Sequence, residues 1–111
     1  LSGYEATLKL LSQSKPVDAI FTACDLMAIG AMRAISDKGL KVGDDIAVVG
    51  YDDISVAQFT NPPLTTVRQD TTIAGQLLVK NLVGLIKGNE VSGSIIEPVT
   101  IVRSSCGTNA N

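Results

Sequence analysis

The sequence contains no histidine and no tryptophan, and only two cysteines, two tyrosines and two phenylalanines among its 111 residues. Without histidine, the side chain that most often moves protons near neutral pH is missing. Neither a GxSxG elbow, a cysteine with an evident base, nor a glycine-rich phosphate loop after a strand is present, and "GLKVGDD" reads as a turn. Catalysis is therefore poorly supported; the remaining route would be an acid and base pair formed by Asp25 and Asp52 across a substrate. Cys24 and Cys106 form no CxxC pair, which favours free thiols in a reducing cytoplasm over a disulfide framework. No apolar run approaches the ~18 residues that a membrane span requires. The nine lysines and arginines are scattered singly from Lys9 to Arg103 and the net charge is −2, so no basic stripe exists to neutralise a row of phosphates.

What is present is a chain that is 45% hydrophobic and 18% charged, with a mean hydropathy of +0.29, enough for one globular domain with a true core. It begins at Leu1, and residues 2 to 13 already read as a helix in progress, so the chain is expected to be a piece of something longer. Ser2 and Glu5 fit an S-x-x-E capping box, with Tyr4, Leu8 and Leu11 on one face and a stop before Pro16. "DAIFTA", residues 18 to 23, predicts a buried strand. Asp25 is placed to cap a helix from Leu26 to Lys38 that Gly39 ends. "IAVVG", residues 46 to 50, predicts a second buried strand, and two strands separated by a helix define a parallel βαβ unit. The fold class is α/β.

Ile54 to Phe59 predicts a short helix broken at Pro62 and Pro63, and Leu64 to Arg68 a third strand. Asp70 then caps a long helix to Lys87, with Ala74, Leu77, Leu78, Leu82 and Leu85 on one face and Gly88 at its end. "IIEPVTIVR", residues 95 to 103, looks extended, with Pro98 marking an edge or a bend.

Ligands of open α/β sheets sit at the carboxyl ends of the parallel strands, where Cys24, Asp25, Asp52 and Asp53 fall. An extended backbone sends Asp52 and Asp53 in opposite directions, so they are not expected to chelate one metal, and no metal or cofactor site is predicted. Asp53 and Asp25 are read as helix caps. Asp52, one residue nearer the strand, is the candidate for a cleft, where a carboxylate accepts from two hydroxyls of a polyol or sugar.

These residues together carry a resemblance. "DAIFTACDLMAIGAMRAISDKGLKVGDDIAVVGYDD", "PPLTTVRQD" and the closing "PVTIVRSSC" resemble the C-terminal part of LacI/GalR transcriptional regulators over essentially the whole chain. The combination of GYDD with PPLTTVRQ is the specific part, because periplasmic sugar-binding proteins share the fold but usually lack the latter. The resemblance implies a Rossmann-like parallel sheet flanked by helices, the C-terminal portion of a periplasmic-binding-protein-like type I fold. Residues 1–69 and 98–111 would form the C-terminal subdomain. Residues 70–97 would supply a helix and crossover of the N-terminal one, with crossings near Gln69 to Asp70 and near Ile96 to Pro98. A helix-turn-helix headpiece would lie outside this chain and carry all contact with operator DNA.

The resemblance also implies site residues. Asp52 matches the position that binds effector hydroxyls, and Gln69 a position that often faces the pocket, although an exposed strand-end amide is the equal alternative there. Cys24 departs from the usual "AND" or "ASD" pattern, putting a weakly polar thiol where a polar side chain normally meets the ligand. The helix from Leu26 is apolar nearly all round, which asks for burial on two sides. Similar regulators dimerise there, so Met27, Ala28, Ala31, Met32 and Ile35, with Tyr4 from the first helix and Val56 and Phe59 after GYDD, are the expected homodimer contacts. The alternative is that they are core beneath other parts of a longer chain. The reading at this point is a cytoplasmic, non-enzymatic, sugar- or metabolite-sensing repressor; its rival is a periplasmic-type sugar-binding receptor.

Overall fold

A computed structural model describes residues 2–108. In chain order the elements are α1 (Ser2–Leu11), β1 (Ala19–Phe21), α2 (Asp25–Asp37), β2 (Ala47–Val49), a short 3-10 helix (Ser55–Phe59), β3 (Thr66–Arg68), α3 (Thr71–Ile86) and β4 (Val99–Ile101). The chain divides into two units: one takes in the described residues up to Arg68 and those from Thr100 onward, the other is Gln69–Val99.

In the first unit β1 and β2 are parallel, pairing Ala19 with Ala47, Ile20 with Val48 and Phe21 with Val49, as the βαβ pattern requires. The ladder continues as a parallel bridge from Val49 to Thr65, and β3 pairs in turn with β4. Ile20, Ile46 and Val48 of the sheet region pack with Ala28, Met32 and Ile35 of α2, and Ala57 and Leu64 close the core. Gly39 ends α2 at φ +75°, its amide donating to Ser36 O at 2.9 Å while Leu40 N reaches Ile35 O at 3.2 Å; this left-handed stop is cheapest for a residue without Cβ.

α1 packs on α2 so closely that a Cβ on Gly3 would lie 2.2 Å from the Met27 carbonyl oxygen, and one on Gly30 2.8 Å from Tyr4 N. The second apolar side of α2 is thus covered from within the chain. The proposed S-x-x-E cap is not realised, because Ser2 is already inside α1. In the second unit Asp70 caps α3 as expected, its Oδ1 accepting from Ile73 N at 2.9 Å. Its apolar face is only partly covered: Ala74 and Leu77 are half-buried, whereas Leu78, Leu82 and Leu85 are exposed.

Candidate functional site

Backbone hydrogen bonds stitch the carboxyl ends of β1, β2 and β3 into one rim. Thr22 N donates to Val49 O at 3.0 Å and Asp25 N to Tyr51 O at 2.9 Å, joining the first two ends. Gly50 N donates to Thr65 O at 2.9 Å and Asp52 N to Val67 O at 2.8 Å, joining the second and third. Cys24 and Asp52 are therefore brought to the same rim. Cys24 is half-buried and is the N-cap residue of α2, with a free thiol and a carbonyl that accepts from Ala28 N at 3.1 Å. Asp52 is exposed, and among the described residues its carboxylate takes no hydrogen bond or ion pair. Gln69 is also exposed and opens the second unit.

The two other aspartates do not cap helices. Asp25 lies inside the first turn of α2 rather than before it and is completely buried. Its Oδ2 accepts from Ile54 N at 2.8 Å and its Oδ1 from Thr66 Oγ1, so the carboxyl group ties α2 to the turn after β2 and to β3. Gly50 makes room for it, since a Cβ there would stand 2.2 Å from Asp25 Oδ1. Asp53 likewise leaves the N-cap position of the 3-10 helix to Ile54. Nor is the Asp52–Asp53 backbone extended: φ is 108° and 53°. Only Asp53 has side-chain partners among the described residues, and a left-handed turn rather than strand alternation separates it from Asp52.

Asp53 is held by two guanidinium groups. Its Oδ2 accepts from Arg68 Nε and Nη2, both at 2.7 Å, and its Oδ1 from Arg103 Nη2 at 2.9 Å. Partial burial pushes the carboxyl up, but the hydrogen bonds from Arg68 and Arg103 and their positive charge outweigh it and hold the pKa below the usual carboxylate value. A depressed folded-state pKa stabilises the fold above the unfolded value, about 4, and that contribution is lost as pH falls through the folded value. The gap in urea midpoint between the native protein and Asp53→Asn should accordingly be widest at pH 6 to 7 and shrink steadily below about pH 4.

The residues expected at a dimer surface separate into two groups. Ala28, Ala31 and Ile35 have no exposed surface, so these three are core and have nothing to offer a partner; Met32 is mostly buried but keeps an edge on the surface groove next to it. The correction follows from α1 and the sheet covering α2 on both sides. Tyr4 and Met27 are half-buried, the Tyr4 hydroxyl donating to Asp37 Oδ2 at 3.0 Å, while Val56 and Phe59 are exposed, Phe59 at 77%. A groove of about 370 Å³ is lined by α2 residues Ile29, Met32, Arg33, Ser36 and Asp37 and by Thr60 and Asn61. None of the candidate ligand residues opens onto it.

Sequence reasoning passed over Arg68, Arg103, Thr66 and Ser105. The arginines were visible only as scattered cations, and their common partner lies fifteen residues from one of them. Ser105 is buried, donating to Val48 O at 2.6 Å and accepting from Thr65 N at 2.8 Å, an arrangement that no local pattern announces. Among the described residues, no helix is long and apolar enough to cross a membrane.

The fold and the strand-end rim agree with the family comparisons. Residues 2–106 match the periplasmic binding protein-like domain. The chain belongs to that family, in its branch of LacI-type regulators. It is 44% identical over 103 residues to the lactose operon repressor of Escherichia coli (strain K12), covering 93% of this chain and 29% of that one. The crystal structure of the lac repressor dimer bound to operator and the anti-inducer ONPF superposes with a TM-score of 0.89 at 40% identity, covering 95% of this chain and 32% of the other. The complex of the transcriptional regulator CelR with cellobiose gives 0.87 at 40% identity, covering 94% and 32%. The chain thus spans about a third of the length of these relatives.

Proposed function

We propose that this chain is the effector-sensing portion of a sugar- or small-metabolite-responsive transcriptional repressor, with Asp52 as the principal ligand residue. The observation that carries the reading is the Asp52 carboxylate: exposed, without a protein partner among the described residues, and set where three parallel strands end. Cys24 borders it on the same rim and favours a less polar edge of the ligand, while Gln69 contributes from the chain crossing. The solved complex of the relative CelR with cellobiose supports a saccharide as the ligand class. The relatives are named as regulators, which supports a non-enzymatic, cytoplasmic protein and lends nothing to a secreted receptor.

The two contact units support assigning residues 1–69 and 98–111 to a C-terminal subdomain and 70–97 to an N-terminal one. Operator binding belongs to a headpiece beyond this chain, whose own charge of −2 gives no counterion-release drive. A homodimer would use the exposed Val56 and Phe59 with Tyr4 and Met27 at its edge, as the dimeric lac repressor structures make reasonable.

In the full-length polypeptide that carries this chain, Asp52→Asn should weaken saccharide binding by about tenfold, or ~1.4 kcal/mol, with little change in melting temperature. Calorimetry against a panel including cellobiose and lactose measures this. Equal affinity of the variant and the native protein for a sugar that binds would exclude Asp52 as a ligand.

A further inference from the structure

Asp52 and Asp53 occupy positive φ in succession, and neither is glycine. Positive φ is sparsely populated by residues with a Cβ, so the pair persists only where its surroundings hold it. Part of the hold is on the backbone. Asp52 N donates to Val67 O at 2.8 Å, Asp53 N to Thr66 Oγ1 at 3.4 Å and Ile54 N to Asp25 Oδ2 at 2.8 Å. The rest is the Asp53 carboxylate, which grips Arg68 with one oxygen and Arg103 with the other. Arg103 is itself anchored, its Nη1 donating to Leu64 O and its amide to Thr65 Oγ1, each at 2.8 Å. The side chains of Asp53 and Arg103 are only 8% and 18% exposed, so this arm of the clamp is screened little, whereas Arg68, at 55%, is the arm that solvent and salt weaken. Arg68 is the last residue of the first unit before the chain leaves it, and Arg103 follows the return at Thr100.

We propose that Asp53 is a positioning residue: its double grip holds Asp52 in the left-handed conformation that presents the ligand carboxylate, and ties that turn to Arg68 at the end of β3 and to Arg103 in the segment after β4. The proposal rests on the reading of Asp52 as the ligand residue. Released from the clamp, Asp52 relaxes toward negative φ, which swings its Cα–Cβ bond and carries the carboxylate away from its place on the rim.

Asp53→Asn in the full-length polypeptide is the informative change, since asparagine tolerates positive φ as well as aspartate and only the charged clamp is lost. Two readouts are compared with Ile35→Val, a core variant that lowers stability away from the rim. The first needs no ligand. Amide hydrogen exchange at Asp52 and Ile54, corrected for intrinsic rates, should accelerate in Asp53→Asn about tenfold beyond any change at the amides of Ala28 to Ser36 in α2, which report the loss of global stability. The second is calorimetry with cellobiose on fully folded protein, where Asp53→Asn should bind about tenfold more weakly and Ile35→Val as the native protein does. Unchanged exchange at Asp52 and Ile54, or acceleration shared equally by α2, would overturn the proposal. If Asp52→Asn leaves cellobiose affinity intact, the ligand reading fails by itself, and the exchange result still decides whether the clamp holds the turn.

Discussion

Asp25→Ala is expected to destabilise the protein by about 3 kcal/mol, the largest effect of any single change considered. The carboxyl group has no exposed surface, and its loss strands the Ile54 amide and the Thr66 hydroxyl where water cannot replace it. Each buried polar group left unpaired costs about 1–3 kcal/mol, against a total domain stability of about 5–15 kcal/mol. Asp25→Asn keeps one acceptor oxygen and should lose roughly half as much. Gly50→Ala is the companion test. Its new Cβ would meet Asp25 Oδ1 at 2.2 Å and Leu64 Cδ2 at 3.1 Å, an overpacking worth about 2 kcal/mol. In the Asp25→Ala background the first clash is gone and the second yields by a small side-chain shift. The double variant should therefore be more stable than the sum of the singles predicts, by about 1 kcal/mol in urea unfolding.

The second large effect is at the crossing of α1 and α2. Gly→Ala inside a helix ordinarily gains up to about 1 kcal/mol. At Gly3 the sign reverses, because the added Cβ meets main chain, with Met27 O at 2.2 Å and Met27 Cα at 2.7 Å, and no rotamer can move aside. The helices must separate, which opens the contact that buries Thr7 and strains the Tyr4–Asp37 hydrogen bond. A net loss of about 2 kcal/mol is expected. Gly75→Ala in α3 provides the contrast: nothing lies within 4 Å of its Cβ, so the ordinary gain should appear. Thermal unfolding of the two variants should shift in opposite directions.

Local features were legible from the sequence because their physics is local. The strands β1 and β2, the Asp70 cap and the glycine stop at Gly39 each depend on a few neighbouring residues and are found where expected, but β1 is not the buried strand its apolar run suggested: only Ile20 is covered, and Ala19 and Phe21 are exposed. Asp25 and Asp53 were misread for the converse reason. An aspartate before a helix is commonly a cap, and what makes these two different are partners as distant as Thr66 and Arg103, which only the folded chain supplies. The two-sided apolar character of α2 was plain, but not that α1 covers one side. That depends on Gly3 and Gly30 meeting across a helix crossing, and no periodicity encodes it. Asp52 and Cys24 were recognisable as strand-end residues from the βαβ order alone; the left-handed turn that sets Asp52 apart from Asp53 was not.

The most direct test of the account is fluorescence anisotropy of the full-length polypeptide on labelled DNA flanking its own reading frame, at fixed salt, with and without a saccharide that binds it. An effector-sensing portion of a repressor predicts DNA binding that the sugar changes by at least about tenfold, the coupling of ~1.4 kcal/mol typical of linked sites, and that Asp52→Asn makes insensitive at the same sugar concentration. A protein that binds the sugar but has no affinity for that DNA, or whose DNA affinity is the same at saturating sugar, would contradict it.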